Sequence, residues 1–340
     1  MKRSEYRKKQ SASRKKTIFK VLGVIVVAAL ILAGTYAVYL YRQAQIAADG
    51  AFESIDREGS KLREEKVEPY EDNVSILFIG VDDSEVRNES HSRSDAVMLA
   101  TLNNDDKSVK LVSIPRDSLV YIPEVGYQDK ITHAHAFGGP QATIDTVEEL
   151  LDVPVDYYVK MNFHAFIDVV DALGGITVDV PYERLEKDED DQYTIQLEPG
   201  VQKLDGRHAL ALARTRMLDN DVERGKRQQM ILEAIMDKAS SVSTVSRYGD
   251  VIKAIGDNMA TDLAFDDMKA LAAYMKDGKP AIEAITLQGY DDMTTGAYYW
   301  RLDEEKLEET SGLLRSHLGL ESEGPDTDGE DGSEAGGAST

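Results

Sequence analysis

The sequence predicts an α/β layer fold carried outside a membrane on a single N-terminal transmembrane helix. Three observations point there. Residues 21–41 contain no charged side chain. From residue 73 to 320, apolar runs of strand length alternate with segments of helical period. Punctuating pairs such as Gly174-Gly175 and Pro199-Gly200 separate them.

Residues 1–20 hold nine Lys/Arg and one Glu, a basic tail of net +8. As a helix, the uncharged run 21–41 would rise about 30 Å, the thickness of a hydrocarbon core. It is longer than the apolar stretch of a signal peptide, and no convincing small-x-small cleavage site follows. The basic flank places the N-terminus in the cytoplasm and the remainder outside, as a single-pass protein of the cell membrane. Residues 42–72 are charged and helix-friendly and read as a juxtamembrane stalk. The extracytoplasmic domain is expected over 73–320. The tail 321–340 holds seven acidic residues and no basic one, so it is expected to be disordered.

Within the domain, Ser75–Val81, the run AVMLATL after Ser92-Arg93-Ser94-Asp95, and Val109–Ile114 read as three neighbouring strands. Asp82, Arg93, Asp95, Arg116 and Asp117 would stand near their ends. Lys130 is placed in a loop before THAHAFGGP, and a helix is expected over 142–152. Tyr157–Met161, Phe163–Leu173 and Ile176–Val180 read as strand, helix, strand, with Gly174-Gly175 closing the helix. Residues 182–191 form an acidic loop, and QYTIQL (192–197) a strand. The helix of the arginine stretch is expected to continue through MILEAIMDKAS (230–240), with further helices near 247–257, 265–276 and 302–317 and a strand over 281–288.

The chain has 340 residues, no cysteine and net charge −23. Disulfides, thiol catalysis and thiolate metal sites are excluded. With the basic tail removed, the rest carries −31. That charge opposes nucleic-acid binding, which needs a basic footprint.

One stretch runs against the acidic background. Leu204–Gln229 holds Arg207, Arg214, Arg216, Arg224, Lys226 and Arg227. If the backbone is extended at Arg214 and Arg216, both side chains leave one face. Arg224, Arg227 and Gln228 follow the i, i+3, i+4 spacing of one helix face. Guanidinium forks bind phosphate oxygens in bidentate fashion and stay protonated; ion pairs with nearby carboxylates are the plain alternative. Asp82 and Asp95 suit Mg²⁺, a hard cation taking oxygen ligands, although turn aspartates in solvent share that pattern. A carboxylate-held Mg²⁺ beside arginines equips a site for phosphoryl transfer. Lys130 could neutralise a phosphate or simply face solvent. Neither a phosphate-binding glycine loop, a nucleophile elbow nor H-E-x-x-H is present.

The motifs SILFIGVD (75–82), SRSD (92–95), LVSIPRD (111–117), DKI (129–131) with FGGP (137–140), DYYVKMNFHAFIDVVDALGGITVDVP (156–181), LDGRHALALARTR (204–216) and ERGKRQQ (223–229) resemble, in order, those of the LytR-CpsA-Psr family of cell-wall ligases. The resemblance implies a mixed central β-sheet flanked by helices, with a long apolar pocket for lipid. It implies a Mg²⁺-dependent phosphotransferase moving an anionic glycopolymer, such as teichoic acid or capsular polysaccharide, from an undecaprenyl-pyrophosphate carrier to peptidoglycan. By that match, Asp82 and Asp95 are the Mg²⁺ pair. Arg93, Arg116, Lys130, Arg214, Arg216, Arg224, Arg227 and Gln228 meet the pyrophosphate, with Arg116, Arg214, Arg216 and Asp95 nearest the chemistry. Asp83, directly after Asp82, is an alternative ligand. A polyprenyl-pyrophosphate hydrolase and a non-catalytic glycan-binding or regulatory envelope protein are the rival readings.

Overall fold

The computed structural model describes the backbone of residues 2–320 apart from 56, 58, 64, 82–91, 216–220, 240–253, 255–258 and 275–279. Asp82, Asp83, Arg216, the tail 321–340 and most of the expected helix 247–257 lie outside the described residues.

The centre is a six-stranded mixed sheet. Its strands are β1 (Val74–Val81), β2 (Ser94–Asn103), β3 (Ser108–Ile114), β6 (Tyr157–Asn162), β11 (Met259–Thr261) and β12 (Ala281–Thr286), in the order β11-β6-β1-β2-β3-β12. The three consecutive strands β1 to β3 are antiparallel neighbours, β2 and β3 joined through the turn at 104–107. β6 joins β1 in parallel and β12 joins β3 in parallel. Alternation along β1 separates two layers. Leu77, Ile79 and Val81 enter one core with Ile144, Val147 and Leu151. Ile76 and Phe78 face the opposite layer.

The first layer rests on helix α2 (Ile131–Leu151), which starts directly after the hairpin β4 (Leu119–Ile122)–β5 (Tyr127–Lys130). The THAHA segment is therefore helical, and Lys130 ends a strand. The expected loop shrinks to a kink at Gly138–Gly139, where Gly139 takes φ 65° and Pro140 restarts the helix. α3 (Phe163–Ala172) follows β6, with the Asn162 side chain accepting from the Ala165 amide at its N-cap. β7 (Ile176–Val180) does not return to the main sheet. It pairs with β10 (Gly200–Leu204) in a small sheet of its own. Within the expected acidic loop, β8 (Arg184–Lys187) forms a hairpin with β9 (Tyr193–Leu197), the strand expected over 192–197. The rest comprises α4 (Gly206–Arg214), α5 (Asp221–Ala239), α6 (Phe265–Tyr274), the hairpin β13 (Gly289–Asp292)–β14 (Tyr299–Leu302) and α7 (Glu304–His317).

The N-terminal helix α1 (Lys2–Ala51) contains a stretch long and apolar enough to cross a membrane, with exposed side chains. The segment after it is a strap lying against the domain. The Glu53 amide donates to Thr261 O at 2.8 Å, and Tyr158 Oη donates to Glu53 O at 2.9 Å. Arg63 grips Asp156 at 2.7 and 2.8 Å, and Val67 is buried. Arg57, which reaches Glu148 at 3.5 Å, and Arg63 thus have partners on the domain.

Candidate active site

The layer opposite α2 holds a cavity of about 570 Å³. Phe78, Met98, Val159, Phe166, Ile231 and Ile235 are among its apolar walls. Arg93, Asp95, Arg116, Arg214, Arg224 and Gln228 also line it. These six, drawn from four separate motifs, are brought together.

Backbone constraints place each of them. Gly80 lies opposite Ala96, and the register of β1 against β2 shifts between Gly80 and Val81. Arg93 and Asp95 thereby come to the strand ends. Arg116 follows β3 in a turn closed by the Ser118 amide donating to Pro115 O at 2.9 Å. The start of α2 ties these two loops together. The Thr132 amide donates to Arg116 O at 3.2 Å, and its hydroxyl to Ser94 O at 2.6 Å. Arg116 Nη1 in turn donates to the Asp95 carboxylate.

Arg214 ends α4, so its backbone is helical and not extended. A Cβ on Gly206 would stand 2.4 Å from Ile167 O; this glycine lets α4 lie against α3. Arg214 Nη1 donates to Asp188 O at 2.8 Å and Nη2 to Asp191 Oδ1 at 3.1 Å, while its guanidinium lies 4.4 Å from the Phe163 ring centroid. Asp188 is itself fixed. Burial pushes its carboxyl pKa up. The Thr194 hydroxyl, the amides of Gln192 and Asp190, and Arg207 outweigh that and hold it below the usual aspartate value.

Arg224 and Gln228 come from α5, one turn apart. Gly225 lets that helix approach β3, since a Cβ there would meet Ser113 Oγ at 2.6 Å. The next turn is fastened by Gln229, whose Nε2 donates to Leu111 O at 3.1 Å and Ile285 O at 2.7 Å. Arg227 is not part of the lining. It is buried, and its Nη2 donates to Thr215 O at 2.7 Å. Lys130 is also outside the cavity, 2.8 Å from Asp117. Neither the sequence pattern nor the charge count pointed to Glu186, Lys187, Asp191 and Tyr193, which line the cavity from the β8–β9 hairpin. The signal for them is the turn DEDD between KLE-like and YTI alternation, a hairpin pattern.

A profile of the LytR_cpsA_psr family matches residues 38–316. The chain belongs to that family. Among its LytR-CpsA-Psr relatives, it is 39% identical over 323 residues to the polyisoprenyl-teichoic acid–peptidoglycan teichoic acid transferase TagT of Bacillus subtilis, covering 94% of this chain and 99% of that one. It is 37% identical to TagU of the same organism, over 93% of this chain and 99% of TagU. A solved structure of TagT with bound octaprenyl pyrophosphate lipid matches with TM-score 0.65 at 38% identity, covering 79% of this chain and 100% of that one. TagT bound to LI-WTA matches with TM-score 0.69 at 39% identity, with coverage of 79% and 100%. The mixed sheet flanked by helices is therefore the family's fold.

Proposed function

We propose that this protein is a membrane-anchored phosphotransferase that moves an anionic glycopolymer of the teichoic acid type from a polyprenyl-pyrophosphate carrier to peptidoglycan. The observation that carries the reading is the cavity's mixed lining of apolar side chains and guanidiniums. Aliphatic and aromatic walls together with four arginines suit an amphiphile whose head is a pyrophosphate. The relative with octaprenyl pyrophosphate supports the same ligand class.

In this reading Arg93, Arg116, Arg214 and Arg224 donate charge-assisted hydrogen bonds to the pyrophosphate oxygens. Their charge stabilises the negative charge that grows as the acceptor hydroxyl attacks the polymer-linked phosphorus and the polyprenyl phosphate leaves. Phe163, Asp188 and Asp191 hold the Arg214 fork in place. Arg227 fixes the carbonyl of Thr215 and so the start of the segment that carries Arg216, the other member of the R-x-R motif. The apolar walls exclude water from the lipid side of the phosphate.

Mg²⁺ fits the residues in one way. Among the described residues, no group of three or more His, Cys, Asp or Glu could cage a metal. Asp95 offers a carboxylate within the cavity. Mg²⁺ is commonly held by one or two carboxylates plus substrate phosphate oxygens. Asp95, with Asp82 from the neighbouring motif, would hold an ion that arrives with the pyrophosphate. The ion would share the charge neutralisation with the arginines. The helix α1 would anchor the domain outside the cell, next to the lipid carrier.

The test is transfer of a lipid-pyrophosphate-linked glycan by the full-length protein in detergent, with and without peptidoglycan. Polymer joined to peptidoglycan, with polyprenyl phosphate released only when the acceptor is present, is expected. Equal release in its absence would make the protein a hydrolase and overturn the reading.

A further inference from the structure

Arg116 lines the cavity, but the next residue leaves it. Asp117 lies 2.8 Å from Lys130 Nζ, which stands 5.7 and 5.5 Å from the ring centroids of Tyr298 and Tyr299. Two hairpins meet here. Trp300 N donates to Asp117 O at 2.9 Å, and Ser118 bridges to Trp300. Register sets what each hairpin presents. Leu119 faces Lys130 and Tyr121 faces Gln128, so Tyr121 and Lys130 share one side of β4–β5. Tyr290 faces Arg301 and Asp292 faces Tyr299, so Tyr290 and Tyr299 share one side of β13–β14. Tyr121 is 43% exposed and Tyr290 56%.

We propose, given the transferase reading above, that this tyrosine shelf binds the sugar rings of the acceptor glycan and delivers them to the cavity at Arg116. Its chemistry selects among ligands. Lys130 is neutralised by Asp117, and Arg301 by Asp292 at 2.8 Å. A shelf whose cations are already paired is a poor site for a polyanion such as the donor polymer. Tyrosine combines a flat apolar ring with a hydroxyl. That matches a pyranose, which has a C–H face and a rim of hydroxyls, better than it matches an all-carbon chain. The lipid has its own cavity, walled by Phe, Met, Val and Ile. The shelf begins at Asp117, one residue along the chain from Arg116 in the cavity lining.

The experiment uses the full-length protein in detergent. The probes are soluble muropeptide oligomers for the acceptor, poly(glycerol phosphate) for a polyanion, and octaprenyl pyrophosphate for the donor head. Tyr121→Ala and Tyr290→Ala, both at exposed positions, should each weaken muropeptide binding about tenfold, the effect of losing one stacking ring. Tyr121→Phe, which keeps the ring, should retain most of it. Octaprenyl pyrophosphate binding should stay at the wild-type level in all three. Unchanged muropeptide affinity in both alanine variants would overturn the proposal, as would loss of poly(glycerol phosphate) binding in place of muropeptide binding. Failure of the wild-type protein to bind octaprenyl pyrophosphate would instead overturn the transferase reading and leave the shelf result standing by itself.

Discussion

Arg214 is held by a carbonyl, a carboxylate and a ring, and each contact depends on a planar fork. Lysine keeps the charge but cannot make the paired donation. Arg214→Lys and Arg116→Lys should each lower transfer by about 10²–10³-fold, the usual loss for one donor to a developing anion. The check is initial rates alongside melting temperature, and full activity in both would remove these residues from the site. At this scale the sequence was readable by residue type and less so by placement. The spacing of Arg224, Arg227 and Gln228 described one helix face, yet only the members one turn apart line the cavity. A helix face is wide, and packing against Thr215 takes the third inward. Asp262 carried no motif, yet burial raises its pKa to about 6 despite the Tyr158 amide and Arg57. An aspartate raised from 3.8 makes the folded state bind more protons than the unfolded one between about pH 4 and 6. Stability should therefore fall as pH rises through that window and level off above it. Buried His317, whose pKa is lowered chiefly by burial, acts in the opposite sense. Comparing wild type with Asp262→Asn cancels the histidine: the stability difference should shift toward the variant from pH 4 to 6, and a constant difference would exclude the effect.

Elements deliver these residues through two close approaches. α5 lies on β3 because residue 225 lacks a side chain, and Gln229 then joins the helix to two strands. Gly225→Ala should push the helix outward, because the added methyl meets Ser113 Oγ at 2.6 Å. Overpacking of this kind costs about 1–3 kcal/mol. Gly225→Ala paired with Ser113→Gly should recover much of the loss, measured by denaturant unfolding; no recovery would place the strain elsewhere. β1, β2 and β3 were legible because they are apolar, short and closely linked. The hairpins β4–β5 and β13–β14, and β8 as the partner of the expected strand β9, were not, because their strands are polar on the exposed side and their pairing is decided by what they cover. β7 also defeated the alternation argument. A strand–helix–strand pattern permits a parallel return to the sheet, but β10 supplies a nearer antiparallel partner.

For the whole molecule, the decisive feature is how the anchor meets the domain. A charged, helix-friendly segment of about thirty residues reads as a juxtamembrane stalk when its partners are unknown. Here the partners are buried carboxylates and strand-edge carbonyls, which local composition does not reveal. α1 also touches α6, where the Tyr41 and Phe265 rings pack edge to face at 5.3 Å. α6 in turn contributes Met268 and Leu271 to the cluster holding Phe78 and Val159, two residues of the cavity wall. Packed side chains therefore connect the anchor to the apolar part of the cavity. Arg63→Ala leaves Asp156, 3% exposed, without its guanidinium, although the Ser75 amide still donates to it at 2.8 Å. The stability loss should fall near the low end of about 3–5 kcal/mol for a broken buried pair. The functional counterpart is an insertion of ten Gly/Ser residues, on the order of 15–20 Å of free coil, after Ala51. It leaves the strap on the domain but lets the anchor swing. Transfer from a short-chain donor in detergent should be unchanged, because the cavity is intact. Transfer from a full-length polyprenyl donor embedded in vesicles should fall severalfold, because the cavity is no longer held in register with the bilayer. Equal rates from vesicles for the insertion variant and the wild type would show that the anchor supplies only proximity, and that the docking of α1 on α6 has no part in lipid delivery.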